Sequence, residues 1–234
     1  FRSRRAVADS YYQDLLEVEL FQNWAWAARA HGTSTQITQQ AWGQFIHRTR
    51  IAQAALDDSP EAARQNPLWC HLAMRAQHDQ GNDLKPIEEL FDACVTRFPE
   101  YTSLYRNMLR SLMPRWYGAP GQATEFIERM ANALPFGQRD AMYASLFWIY
   151  ADLEGDSMNI FRDAGADWIW MNHGFHDLRE KYPESDYVLN VSARFACLAD
   201  DEENYRALAR LMWGRRSASA WTRETTRAGC DRRL

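Results

Sequence analysis

Lysine is nearly absent from this chain. Only Lys85 and Lys181 stand among its 27 basic residues, and the rest are arginine, which is read as a bias of base composition before it is read as function. Proline and glycine are also scarce, at 8 and 11 of 234 residues, and most fall between periodic apolar stretches, as in a helical protein. No run of about 18 apolar residues occurs, which leaves no candidate membrane span. Cysteine is limited to Cys70, Cys94, Cys197 and Cys230, widely spaced and without a CxxC pair. A chain of this size does not need disulfides, so the four are expected to be buried thiols and the location cytoplasmic, with a removed leader left open because the chain starts at Phe1. There is no GxSxG elbow, no glycine-rich phosphate loop and no cysteine in a catalytic context. No catalytic residue, cofactor site or metal-ligand set is therefore assigned.

Ten tryptophans and an apolar content of 46% argue for a well-packed globular protein. Charge is unevenly placed. Arg2, Arg4 and Arg5 lead the chain and six arginines follow Gly214, while residues 6–214 hold 18 basic against 29 acidic residues, a balance of −11. An acidic body disfavours nucleic acid, whose phosphates it would repel, and suits a protein partner with a basic surface.

The apolar spacing is helical almost throughout. Tyr12, Leu15, Leu16, Leu20, Trp24 and Ala28 form one apolar set, ending near Gly32, and Trp42, Phe45, Ile46, Thr49, Ala52 and Leu56 form the next, capped by Ser34 or Thr35. Ser59-Pro60 and Asn66-Pro67 each pair a capping side chain with a proline at the first helical position. Tyr101, Leu104, Tyr105, Met108, Leu109, Leu112 and Met113 make an amphipathic helix that Pro114 ends, and a helix over Trp168–Tyr182 is broken slightly at Gly174. Pro67, Pro99 and Pro135 lie 32 and 36 residues apart, the interval of a two-helix repeat. The expected fold is all-α, antiparallel helix pairs stacked as a tetratricopeptide-like α-solenoid. It consists of a flexible basic arm over 1–8, one helical domain over 9–214 and a polar, arginine-rich tail over 215–234.

Trp24, Gly32, Trp42 and Phe45, the turn Leu112-Met113-Pro114-Arg115-Trp116-Tyr117-Gly118, then Asn190, Phe195-Ala196-Cys197 and Trp221 resemble the landmarks of a bacterial tetratricopeptide-like family, domain-of-unknown-function family 4034. The resemblance runs from about Trp24 to Trp221; the chain departs from it at Tyr117-Gly118-Ala119-Pro120, where members carry a second glycine. It implies an all-helical solenoid and no established activity.

Arg115, Trp116, Tyr117 and Asn190 are the candidate partner-binding residues: an aromatic platform, a planar guanidinium fork and a family landmark. The competing reading makes Trp116 and Tyr117 packing groups at the joint between two helical hairpins. In that case Trp116→Ala costs about 3 to 5 kcal/mol if the ring is fully buried. His173 and His176 with Glu180 share a helix face, but HxxH lacks the glutamate of HExxH and no third ligand is suggested nearby. His71 and His78 are read as solvated or capping groups, and Asp200–Glu203 as charge at a helix N-terminus. The leading expectation is a non-catalytic protein-binding module, an immunity or adaptor protein for a basic partner such as a toxin. A hydrolase with a His/carboxylate site in a cleft between helix pairs is the alternative, and a structural part of a larger assembly a third.

Overall fold

The computed structural model describes residues 10–29, 36–81, 83–155 and 158–234. The arm over 1–8, the stop at Gly32 and the caps at Ser34 and Thr35 lie outside the described residues. Among those described the chain is all-α, with thirteen α-helices and no strand, and no helix is long and apolar enough to cross a membrane. It divides into two compact units, residues 1–117 and 118–234, in place of the single domain expected over 9–214. The division falls between Tyr117 and Gly118, inside the aromatic turn.

The first unit holds α1 (Ser10–Arg29), α2 (Gln39–Asp57), the short α3 (Glu61–Arg64), α4 (Pro67–Asp79), α5 (Leu84–Arg97) and α6 (Thr102–Ser111). α1 packs along α2, and α6 lies on both α4 and α5. Local chemistry sets the helix starts. Thr38 accepts from Ala41 N at 3.2 Å to cap α2, and Asn66 accepts from Leu68 N at 2.9 Å with Pro67 at the first helical position, as its sequence predicts. Ser59 does not cap: its hydroxyl donates back to Ala55 O, and α3 begins one residue after Pro60. On α6 the expected apolar face is buried from Leu104 to Met113.

α1 departs from expectation. Its core side is Leu15, Val18, Gln22 and Ala25, with Gln22 Nε2 donating to Leu72 O at 2.8 Å, while Tyr12, Leu16, Leu20 and Trp24 are exposed. The sequence carries two apolar stripes on one helix, and spacing alone merges them.

The second unit holds α7 (Gln122–Asn132), α8 (Phe136–Glu154), α9 (Ile160–Asp163), α10 (Trp168–Lys181), α11 (Asp186–Leu198), α12 (Glu202–Leu211), a 3-10 turn at Ala218–Ala220 and α13 (Arg227–Arg233). α10 runs unbroken through Gly174. A Cβ there would stand 2.0 Å from Asp140 O and 2.7 Å from Ala144 Cβ, so the glycine is what lets α10 lie against α8. α11 is the centre of this unit, buried at every position from Val188 to Cys197.

Residues 215–234 are not a polar tail. Arg215 Nε meets Asp186 Oδ1 at 2.7 Å, Trp221 Nε1 donates to Asn190 Oδ1 at 3.1 Å and Tyr205 Oη donates to Asp231 Oδ1 at 2.5 Å. Polar composition hid this because the contacts are made by the apolar parts and hydrogen bonds of a few residues, Trp221 and Cys230 foremost.

The cysteines are not thiols. Cys70 on α4 bonds Cys94 on α5, and Cys197 on α11 bonds Cys230 on α13, each pair with Cα atoms 5.9 Å apart. The pairs lie 24 and 33 residues apart and meet only once the helices pack, which spacing in the sequence does not reveal. Loops of this size give a disulfide a stabilising effect of about 3 kcal/mol, mainly by restricting the unfolded chain. Replacing either pair by alanine should lower the unfolding free energy by about that amount in urea titration. The unreduced chain, denatured, should take up no alkylating reagent by mass spectrometry.

Candidate functional site

The turn after α6 is a lid over the C-terminal end of α4. Trp116 N bonds Met113 O at 2.9 Å and Tyr117 N bonds Ser111 O at 3.2 Å, which folds the two aromatics back onto the first unit. Trp116 is half-buried, its ring edge-on to Trp26 with centroids 6.1 Å apart and to His78 at 4.6 Å. Tyr117 lies edge-on to His78 at 5.2 Å, and its hydroxyl donates to the His78 carbonyl. The Arg110 guanidinium stands 4.7 Å from the Trp26 ring and 5.1 Å from the Trp116 ring, a cation held by two indole faces of its own chain.

Beneath the lid sits Asp79. Its side chain is 1% exposed, with Oδ2 accepting from Trp26 Nε1 at 2.8 Å and standing 3.9 Å from Arg75 Nε, while Oδ1 is buried without a hydrogen bond. Burial raises its pKa to about 6, against the opposing effects of the Trp26 hydrogen bond and of Arg110, Arg75 and Arg29. The neighbouring His78 goes the other way. Burial, then the charges of Arg110 and Arg75, lower it to about 3. The hydrogen bonds assign its tautomer: Ser111 Oγ donates to Asn107 O at 3.0 Å, so it accepts from His78 Nδ1 at 3.1 Å and leaves Nε2 bare. A neutral histidine and a carboxylate that ionises above about pH 6, both covered, offer no exposed base to a substrate.

Of the four candidate residues, the structure brings Trp116 and Tyr117 together in this cluster. Arg115 is exposed beside them and donates to Met113 Sδ at 3.4 Å. Asn190 belongs to the second unit and is 1% exposed, its amide donating to Asp186 O at 2.7 Å and Arg215 O at 2.9 Å while accepting from Trp221. It fastens the C-terminal segment and is not available to a partner. The histidine pattern on α10 splits: His173 Nδ1 lies 4.0 Å from Asp140 Oδ2, and only His176 stays with Glu180, at 3.8 Å. His176, Asp177 and Glu180 lie within 4.8 Å of one another on one surface turn of that helix.

The feature that sequence reading missed is the outer face of α1. Tyr12, Leu16, Leu20 and Trp24 recur every fourth residue and are all exposed, Leu20 at 64%, and Trp42 and Ile46 on α2 are exposed as well. Arg48 stacks on Trp24 at 3.8 Å and donates to its carbonyl at 2.8 Å, fixing that indole at the surface. The signal was present in the sequence as one apolar residue too many per turn of α1 for a single face.

The chain matches no family model, no curated protein and no solved structure.

Two outcomes test the cluster. Trp116→Ala should cost about 2 kcal/mol in urea unfolding, below the about 3 to 5 kcal/mol of a fully buried aromatic, because its ring is half-buried. The second concerns pH. On folding, Asp79 rises from 3.8 to about 6 and its contribution is lost as pH rises through that value, whereas His78 falls from 6.5 to about 3 and its contribution is lost as pH drops below 6.5. The two oppose each other between those limits. Relative to the wild type, Asp79→Asn should therefore lose stability by up to about 1.4 kcal/mol for each pH unit as pH falls from about 6 to 3.8, and His78→Gln should gain stability as pH falls from 7 to 5. Parallel pH profiles for all three proteins would contradict this account.

Proposed function

We propose that the chain is a non-catalytic protein-interaction module of the tetratricopeptide-like kind, and that the outer face of α1 docks a basic amphipathic helix of its partner. The observation that carries this reading is the row Tyr12, Leu16, Leu20 and Trp24, a second apolar stripe opposite the one that packs the core. A helix apolar on two sides gains stability when its second side is covered. Charge selects the cover. From Ser10 to Ala28, α1 carries Asp14, Glu17 and Glu19 and no basic residue, so a helix with an apolar seam and flanking lysines or arginines is complementary in both respects.

The acidic balance of residues 6–214 and the resemblance to family 4034 fit the same reading. Within it, an immunity or adaptor role toward a basic toxin is the specific form we favour. Two disulfides favour an oxidising compartment over the cytoplasm as the place where such a partner is met. The hydrolase alternative draws little support from His78 and Asp79, the histidine and carboxyl that lie side by side, because both are covered.

The test is titration of the full chain with a synthetic amphipathic helix bearing leucines on one face and lysines beside them, and with its glutamate counterpart. The lysine peptide should bind in the micromolar range, about −8 kcal/mol, and more weakly as salt rises. Leu16→Glu with Leu20→Glu should weaken it at least about tenfold, or about 1.4 kcal/mol. Equal binding of the glutamate peptide, or no effect of the double variant, would overturn the proposal. So would a dimer through α1 in sedimentation that the double variant dissolves, because a second copy would then be the occupant.

A further inference from the structure

The second unit contains a half-open cavity of about 380 Å³ lined by the end of α8, the outer turns of α11 and the segment around Trp221. Its size is near the lower end of small-molecule sites, about 300 to 1,000 Å³, which suits a single small compound better than a polymer. One of its lining residues is a buried arginine short of acceptors. Arg194 on α11 is 4% exposed, and its Nη2 donates to Asp152 Oδ1 at 3.1 Å. Asp152 is the one acceptor it reaches among the described residues, and Arg194 Nε is buried with no partner. A guanidinium offers five N–H donors, and donors removed from water without an acceptor are costly. Arg194 lines the cavity, so its guanidinium is the group there that suits a planar oxyanion.

The other charges around the cavity define the rest of the ligand. Arg162 also lines it, but its guanidinium is taken by Asp163 at 2.7 and 2.9 Å. Asp152 is engaged by Arg194, which leaves Glu224 as the exposed carboxylate at the wall. A dianion such as phosphate would bring its second charge against Asp152 and Glu224, and a simple amine would leave Arg194 unsatisfied. A compound with one carboxylate and one ammonium is complementary to both. Trp221, Met158 and Tyr187 offer apolar surface for whatever else it carries.

We propose that this cavity binds a free amino acid, its carboxylate on Arg194 and its ammonium on Glu224. The site belongs to the second unit and to residues that the α1 face does not use, so either proposal can fail without the other.

Isothermal titration calorimetry of the full chain tests it, with acidic, basic, aliphatic and aromatic amino acids taken singly. The comparison ligands are the matching carboxylic acids without the amine, the matching amines without the carboxylate, and inorganic phosphate. At least one amino acid should bind with Kd below about 1 mM, and its deaminated and decarboxylated counterparts at least tenfold more weakly. Glu224→Gln alters an exposed side chain and should weaken the amino acid at least fivefold while leaving the carboxylic acid unchanged. Arg194→Lys, checked for folding by circular dichroism, should weaken both. The proposal fails if no amino acid binds below about 1 mM. It fails equally if phosphate or the deaminated acid binds as tightly as the amino acid, or if Glu224→Gln binds the amino acid like the wild type.

Discussion

Indole N–H groups hold much of this molecule together. Trp26 donates to Asp79 at 2.8 Å, Trp170 to Asp140 at 2.7 Å, Trp168 to Asp201 at 2.7 Å and Trp221 to Asn190 at 3.1 Å, each across 30 to 53 residues of sequence. A buried indole N–H is stabilised by an acceptor and a covered carboxylate by donors, although the buried Nε1 atoms of Trp69 and Trp148 find none among the described residues. The three tryptophan–aspartate pairings meet both requirements at once and tie helices to one another, and the fourth ties the segment at Trp221 to α11. At Asp201 the same side chain also caps α12, accepting from Asn204 N at 3.0 Å, so the indole is tied to a helix terminus already set by local chemistry. At Asp140 the Trp170 ring stacks on Tyr143 at 3.7 Å, and Gly174 permits the close approach that the stack requires.

Much of the fold was legible because helices announce themselves locally. The face of α6, the cap at Asn66 and the stop before Pro114 depend on residues a few positions apart, and those intervals can be read directly. What escaped the sequence depends on partners far away. The disulfides, the indole pairings and the folding of residues 215–234 join positions 24 to 53 apart, and no local pattern encodes which of several candidates meets which. Two errors had a different origin. The two apolar stripes of α1 were merged because periodicity reports that apolar residues share a helix, not which of them the core takes. Gly174 was read by its weak helix propensity when its role is the absence of a Cβ.

The aromatic turn illustrates how the candidate site was partly legible. Trp116 and Tyr117 do turn inward, as packing residues at a joint would, yet the joint belongs to the first unit alone and closes over a buried carboxyl and a neutral imidazole. The chain thus assigns its most conspicuous motif to stability. The exposed apolar row lies instead on the first described helix, whose surplus of apolar residues does not say which of them face out. Asn190 is likewise internal: it anchors the last twenty residues by two hydrogen bonds, to Arg215 and from Trp221, and donates a third to Asp186 of its own helix.

The bond between Cys197 and Cys230 closes a loop that contains Ser219, Trp221 and Thr225, all of them in the far wall of the cavity beside Arg194. The disulfide therefore adds a covalent tie to the hydrogen bonds from Asn190 and Trp221 that hold that wall. Reduction frees that wall from covalent attachment to α11, and any compound held only while the wall is in place must oppose the change. Electron donors and cavity ligands then act on one equilibrium from opposite sides, by mass action, without sharing a single contact.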